Sequence, residues 1–118
     1  MRSTRVYIAG PMSSADPIRF LENLRRGMRL STECLLSGYA VFSPFIDYSL
    51  FFQLRDGEKI SVDAIQKNSM AWLEASDAVL LCDCWQESRG TQAELFRARE
   101  LNIPVFTSLD YLKAWRSA

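Results

Sequence analysis

A chain of 118 residues, 48% of them hydrophobic, carries enough apolar material for one compact domain, residues 1–118, and too little length for two. Its 14 basic and 14 acidic side chains balance, which disfavours disorder and the basic surface a nucleic-acid polymer requires, so a small-molecule partner is expected. Three cysteines without zinc or dithiol spacing, and no histidine, leave little for a metal centre; neither a metal nor a cofactor is expected.

The charged opening "MRSTR" gives way to the apolar run "VYIAGPM", too short for a signal peptide or a membrane span. A cytoplasmic protein without membrane contact is the expectation. "RVYIAG" reads as a buried strand that stops at Gly10 and Pro11, and "PMSSAD" as a loop. Asp16 and Pro17 supply the N-cap and first residue of a helix that ends at Gly38, with Leu21, Leu24, Met28 and Leu35 on one stripe. "YAVFSP" is a second strand, closed by Pro44. The segment "FIDYSLFFQLRDGEKIS" has aromatic residues without a clean period and is expected to be a loop or lid. Ser61 caps a helix running to about Ser76, and "DAVLLCD" makes a third apolar strand. A helix from Thr91 to Leu101, the strand "PVFTS" and a short helix around "DYLKAW" complete the pattern.

Short strands, apolar on both faces and alternating with helices, predict an α/β protein. The expected form is a flavodoxin-like three-layer sandwich, with a short parallel sheet of about four or five strands and helices on both faces. Ligands of such sheets bind beyond the carboxyl ends of the strands, which brings the loops "AGPMSS" and "CDCWQESRG" into one crevice.

The stretch "CWQESRGTQAELFRA" supports two readings. Thr91 and Glu94 have the T-x-x-E spacing of a capping box, which would account for both. Against that, Glu94 shares a helical stripe with Ala98 and Leu101 and so points into the crevice. Ser88, Arg89, Gly90 and Thr91 place hydroxyls, a cation and a flexible backbone at a helix N-terminus, an arrangement that holds anions. Gly10, Ser13 and Ser14 add small groups that let backbone donors approach a ligand. Cys34 and Cys82 read as small buried hydrophobes and Cys84 as more exposed, with no chemistry assigned to any of them.

The runs "VYIAGPM", "MAWLEASDAVLLC" and "SRGTQAELFRARELNIPVF" resemble the nucleoside 2-deoxyribosyltransferase superfamily, most of all its small 2'-deoxynucleoside 5'-monophosphate N-hydrolase-like domains. The resemblance implies a flavodoxin-like fold and Glu94 as a nucleophile on the anomeric carbon, oriented by Tyr7. It further implies a 5'-phosphate held by Ser88, Gly90 and the backbone around Gly10, Met12 and Ser13. The activity implied is hydrolysis of the N-glycosidic bond of a (deoxy)nucleoside 5'-monophosphate. Deoxyribosyl transfer between bases and a non-catalytic nucleotide-binding module are the alternatives, with a flavin-binding flavodoxin suggested by fold alone. A homodimer or higher oligomer is implied too, its sites built at subunit contacts.

One position departs from the family pattern: where it commonly has an aspartate to serve the leaving base, this chain has Ser69. Ser69 therefore occupies the third catalytic position, and a hydroxyl is no acid near neutral pH. Asp47, Asp63 and Glu58 are the nearest acids that could substitute, although Asp63 reads first as a residue that complements the dipole in a first helical turn and Asp47 and Glu58 as solvated loop charge. Phe45, Tyr48, Phe51 and Phe52 read as lid aromatics, more readily a subunit interface than a base-stacking surface. Trp72 and Trp85 read as core and crevice rim.

Overall fold

The computed structural model describes residues 3–117; Met1 and Arg2 of the charged opening stretch, and Ala118, lie outside it. The chain runs β1 (Arg5–Ala9), α1 (Pro17–Leu36), β2 (Ala40–Phe42), a 3-10 helix (Pro44–Gln53), α2 (Val62–Glu74) and β3 (Ala78–Leu81). It continues through a short 3-10 turn (Trp85–Glu87), α3 (Arg89–Glu100), β4 (Val105–Phe106) and α4 (Leu109–Ser117). All strand pairs are parallel and their order is β2-β1-β3-β4. This is the expected α/β, flavodoxin-like arrangement, with β1 and β3 at the centre of the sheet.

Alternation along the two central strands sorts the core into two layers. Val6, Ile8, Ala78 and Leu80 face one side, where Cys34 of α1, Phe45 and Leu112 of α4 cover them. Tyr7, Ala9, Val79 and Leu81 face the other, against Leu73 of α2 and Leu95 and Ala98 of α3. Tyr7 is thus held rigidly, wholly buried in mid-sheet on the α2/α3 face.

The ends of α1 are as expected. The Asp16 side chain accepts the Ile18 N–H at 3.0 Å, and Gly38 takes a left-handed conformation at φ +96° just past the helix. The expected stripe is not the buried one. Leu21 and Leu35 are 53% and 61% exposed, and the line against the sheet is Asn23, Gly27, Ser31 and Cys34, with Leu24 and Met28 packed beside it. The physical reason is Phe45, whose ring nests on the helix at Gly27: a Cβ there would lie 2.3 Å from the ring. A large side chain seated on a helix demands small residues beneath it, and the leucines are turned toward solvent.

The expected lid is in large part a 3-10 helix, Pro44–Gln53, whose three-residue turn explains the missing α-helical or strand period. Phe45 belongs to the core and not to a lid surface. Tyr48 packs edge-on against Phe20 and stacks on Phe51, while Phe52 is 86% exposed. Trp72, expected in the core, stands mostly exposed at the end of the aromatic stack Tyr7, Phe42, Trp72.

Candidate active site

The crevice begins where β1 and β3 end side by side. The Cys82 N–H donates to the Ala9 carbonyl at 2.8 Å, so the loops that follow the two strands leave the sheet together. Gly10 makes that possible, since a Cβ on it would meet the Cys82 Cβ at 2.6 Å. Its missing side chain serves strand packing in the first place, where close approach of a ligand was expected.

The first loop is fixed from α1. Asn23 Nδ2 donates to the Met12 carbonyl at 3.2 Å, and Ser14 Oγ accepts the Asp16 N–H at 3.2 Å. Ser13 between them is exposed. Arg26, one turn beyond Asn23, acts electrostatically on the Cys82 thiol at the crevice floor, whose pKa burial nonetheless pushes up to about 12. This cation is absent from the sequence reading. Its signal was the i,i+3 spacing from Asn23, which puts both on the same side of α1.

The second loop leads into α3. Ser88 is extended (φ −106°, ψ 120°) and its hydroxyl oxygen accepts the Thr91 N–H at 3.1 Å, so Ser88 is the N-cap. Of the two readings of Thr91 and Glu94, the capping box is therefore the one the structure lacks, and Glu94 stands in the second turn of the helix. Thr91 is buried, with no hydrogen-bond partner for its Oγ1 among the described residues. Leu101, expected on the stripe with Glu94 and Ala98, caps the helix and is partly exposed; the buried line is Thr91, Leu95 and Ala98, with Glu94 at its edge. Ser88 and Gly90 stand at the opening of α3, and the Ser88 hydroxyl keeps its own proton to donate.

Relieved of capping, the Glu94 carboxylate has another partner. The Tyr7 hydroxyl donates to Glu94 Oε2, joining two residues 87 positions apart in the chain. Burial, and then the Glu94 charge, raise the Tyr7 pKa far above the ordinary phenol value, so Tyr7 remains a donor. Ser69, buried on α2, lies against the same phenol and works in the opposite direction. Burial pushes Glu94 up to about 7, and the Tyr7 hydrogen bond pulls it back toward the ionised form. A helix N-terminus favours an ionised carboxylate, but the second-turn position of Glu94 weakens that effect, and desolvation prevails.

The three candidate replacement acids separate clearly. Asp63 is exposed in the first turn of α2 and paired with Lys67 at 3.0 Å. Glu58 is exposed and accepts the Arg55 N–H at 2.8 Å. Asp47 is buried, its pKa raised by desolvation against the opposing pull of the Asn68 amide, and its charge bears on Tyr7. Trp85 packs against the α2/α3 side of the core near the start of α3. Cys34 and Cys82 are buried and Cys84 is exposed, as expected. Among the described residues no group of three or more His, Cys, Asp or Glu side chains is arranged to hold a metal ion, and no helix is long and apolar enough to cross a membrane.

A carboxylate of near-neutral pKa beside a phenol donor, at the carboxyl edge of a parallel sheet, suits attack on an electrophilic carbon. The chain is similar to the 2-deoxyribosyltransferase of the psychrotolerant bacterium Bacillus psychrosaccharolyticus, a biocatalyst for nucleoside synthesis, with a TM-score of 0.56 and 22% identity over 86% of this chain and 69% of that one. By sequence the chain belongs to the family described as a domain of unknown function (DUF4406), whose model matches residues 4–107. Comparison with curated protein sequences gives no match.

Proposed function

We propose that this chain is an enzyme, a single nucleoside deoxyribosyltransferase-like domain, that breaks the N-glycosidic bond of a (deoxy)nucleoside 5'-monophosphate through Glu94. The observation that carries this reading is the hydrogen bond from the buried Tyr7 to Glu94. Breaking the bond builds positive charge on the sugar; the ionised Glu94 oxygen stabilises that charge and captures C1' as a glycosyl ester. Tyr7 orients the attacking carboxylate and lowers its pKa. The Ser88 hydroxyl and the backbone at Gly90, with the loop at Gly10, Met12 and Ser13, receive the 5'-phosphate, which the N-terminus of α3 favours electrostatically.

The ester can pass its sugar to water or to a second base. Transfer is the outcome that the likeness to a deoxyribosyltransferase supports better; hydrolysis is supported by the sequence resemblance alone. A homodimer is part of the proposal. β2 is the end strand of the sheet, and exposed Leu35, Ile46 and Trp72 line the surface beside it, which gives a second copy an apolar surface to cover. A cytoplasmic location is the setting in which free nucleotides are met.

The test is to incubate the protein with each deoxyribonucleoside 5'-monophosphate, with and without a different free base, and to follow products by chromatography. Free base in the first case denotes hydrolysis, and a new nucleotide in the second denotes transfer. A raised melting temperature with neither product would assign the chain to non-catalytic nucleotide binding.

A further inference from the structure

Besides Glu94, which the Tyr7 phenol meets directly, a second and buried carboxyl group acts electrostatically on that phenol, and the proposed chemistry does not employ it. Glu94 reaches Tyr7 from α3, beyond β3; Asp47 lies in the 3-10 helix that follows β2. Asp47 lies close enough for its charge to act on Tyr7, and the amide of Asn68, the sequence neighbour of Ser69, acts on Asp47. The residue is only 9% exposed, and its Oδ2 has no hydrogen-bond partner among the described residues. A buried carboxyl oxygen without a partner is costly as a carboxylate and, when protonated, carries a donor in search of an acceptor.

We propose that Asp47 supplies the proton that the departing base requires, at the site where the Ser69 hydroxyl cannot act as an acid; the proposal rests on Glu94 being the nucleophile. In the first half-reaction a Glu94 oxygen gives an electron pair to C1', and the C1'–N bond breaks with its pair moving to the base. The Asp47 proton passes to a nitrogen of that base, and Asp47 becomes a carboxylate. In the second half, water or another base attacks C1', Asp47 takes the proton of the attacking group, and the C1'–O bond breaks to return Glu94 as a carboxylate. Around Asp47, α2 supplies the uncharged Asn68 and β1 the Tyr7 phenol, on which the Asp47 charge acts; α1 meets the 3-10 helix through the uncharged Phe20 and Gly27.

The experiment compares leaving groups. One substrate is a deoxyribonucleoside 5'-monophosphate, and the other is a 4-nitrophenyl 2-deoxyriboside 5-phosphate, whose nitrophenolate departs without a proton. Asp47→Asn is expected to lose about 10²–10⁴-fold in kcat/KM on the nucleotide, and less than about tenfold on the nitrophenyl substrate. Glu94→Gln is expected to lose both. The wild-type protein gives a second readout that requires no variant: its rate on the nucleotide falls on the alkaline side of a bell-shaped profile, and that limb disappears with the nitrophenyl substrate. Similar losses of the two substrates in Asp47→Asn, or an alkaline limb that persists with nitrophenolate, overturn the role of Asp47 while leaving Glu94 in place. A wild-type protein inert on both substrates overturns the Glu94 reading and the Asp47 role together.

Discussion

Tyr7 and Glu94 illustrate how little of a site depends on neighbours in sequence. Tyr7 is fixed by the sheet, because its ring fills the α2/α3 layer of the core and stacks on Phe42 at 5.5 Å. Its hydroxyl is the second influence on Glu94 and favours the charged form, against the larger effect of burial. Removing it in Tyr7→Phe therefore raises the Glu94 pKa further above about 7. The acid limb of the pH–rate profile should move to higher pH by about one to two units, the size expected of a hydrogen bond to a charged group. Measuring kcat/KM from pH 5 to 9 checks this, and a limb that stays in place would deny the bond its role. Glu94 itself was legible as a residue that points inward, because its spacing from Ala98 survives in the structure. Its cap was not legible: Ser88 and Thr91 both suit an N-cap, and what decides is that Thr91 is needed inside the core.

Elements were legible where a strong local signal bounded them. Asp16–Pro17 opens α1, Ser61 opens α2, and the continuous apolar runs of β1 and β3 lie where burial on both faces requires them. The buried face of α1 was hidden because it is made of small and polar residues, which a rule based on hydrophobic spacing passes over. Phe45 accounts for that face, and its place in the core could not be read from a segment without periodicity. Gly27→Ala would drive a methyl group into the Phe45 ring and should destabilise the protein by about 1–3 kcal/mol. Combining it with Phe45→Leu should recover part of that loss, a non-additivity that marks direct contact. Denaturant titration of the two single variants and the double variant measures it; additive losses would mean that the helix and ring do not meet.

At the scale of the whole molecule, the fold follows from parallel strands with helical crossovers, and the site from where those crossovers reverse direction. β1 and β3 are neighbours whose connections run to opposite sides, so the loops after them leave the sheet together, where parallel sheets bind their ligands. The central claim is that Glu94 is present for chemistry and not for stability. Its pKa lies above the ordinary 4.5, so folding is favoured by its protonated form; that contribution is complete below about pH 4.5 and is lost as pH rises through about 7. Glu94→Gln keeps an oxygen to accept from Tyr7 and carries no charge to desolvate. The most direct measurement is base release or transfer from deoxyribonucleoside 5'-monophosphates by wild-type and Glu94→Gln proteins at pH 8, with melting temperatures recorded beside the rates. The account predicts a variant that melts no lower than the wild type and produces neither free base nor new nucleotide; a variant that turns over at the wild-type rate would contradict it.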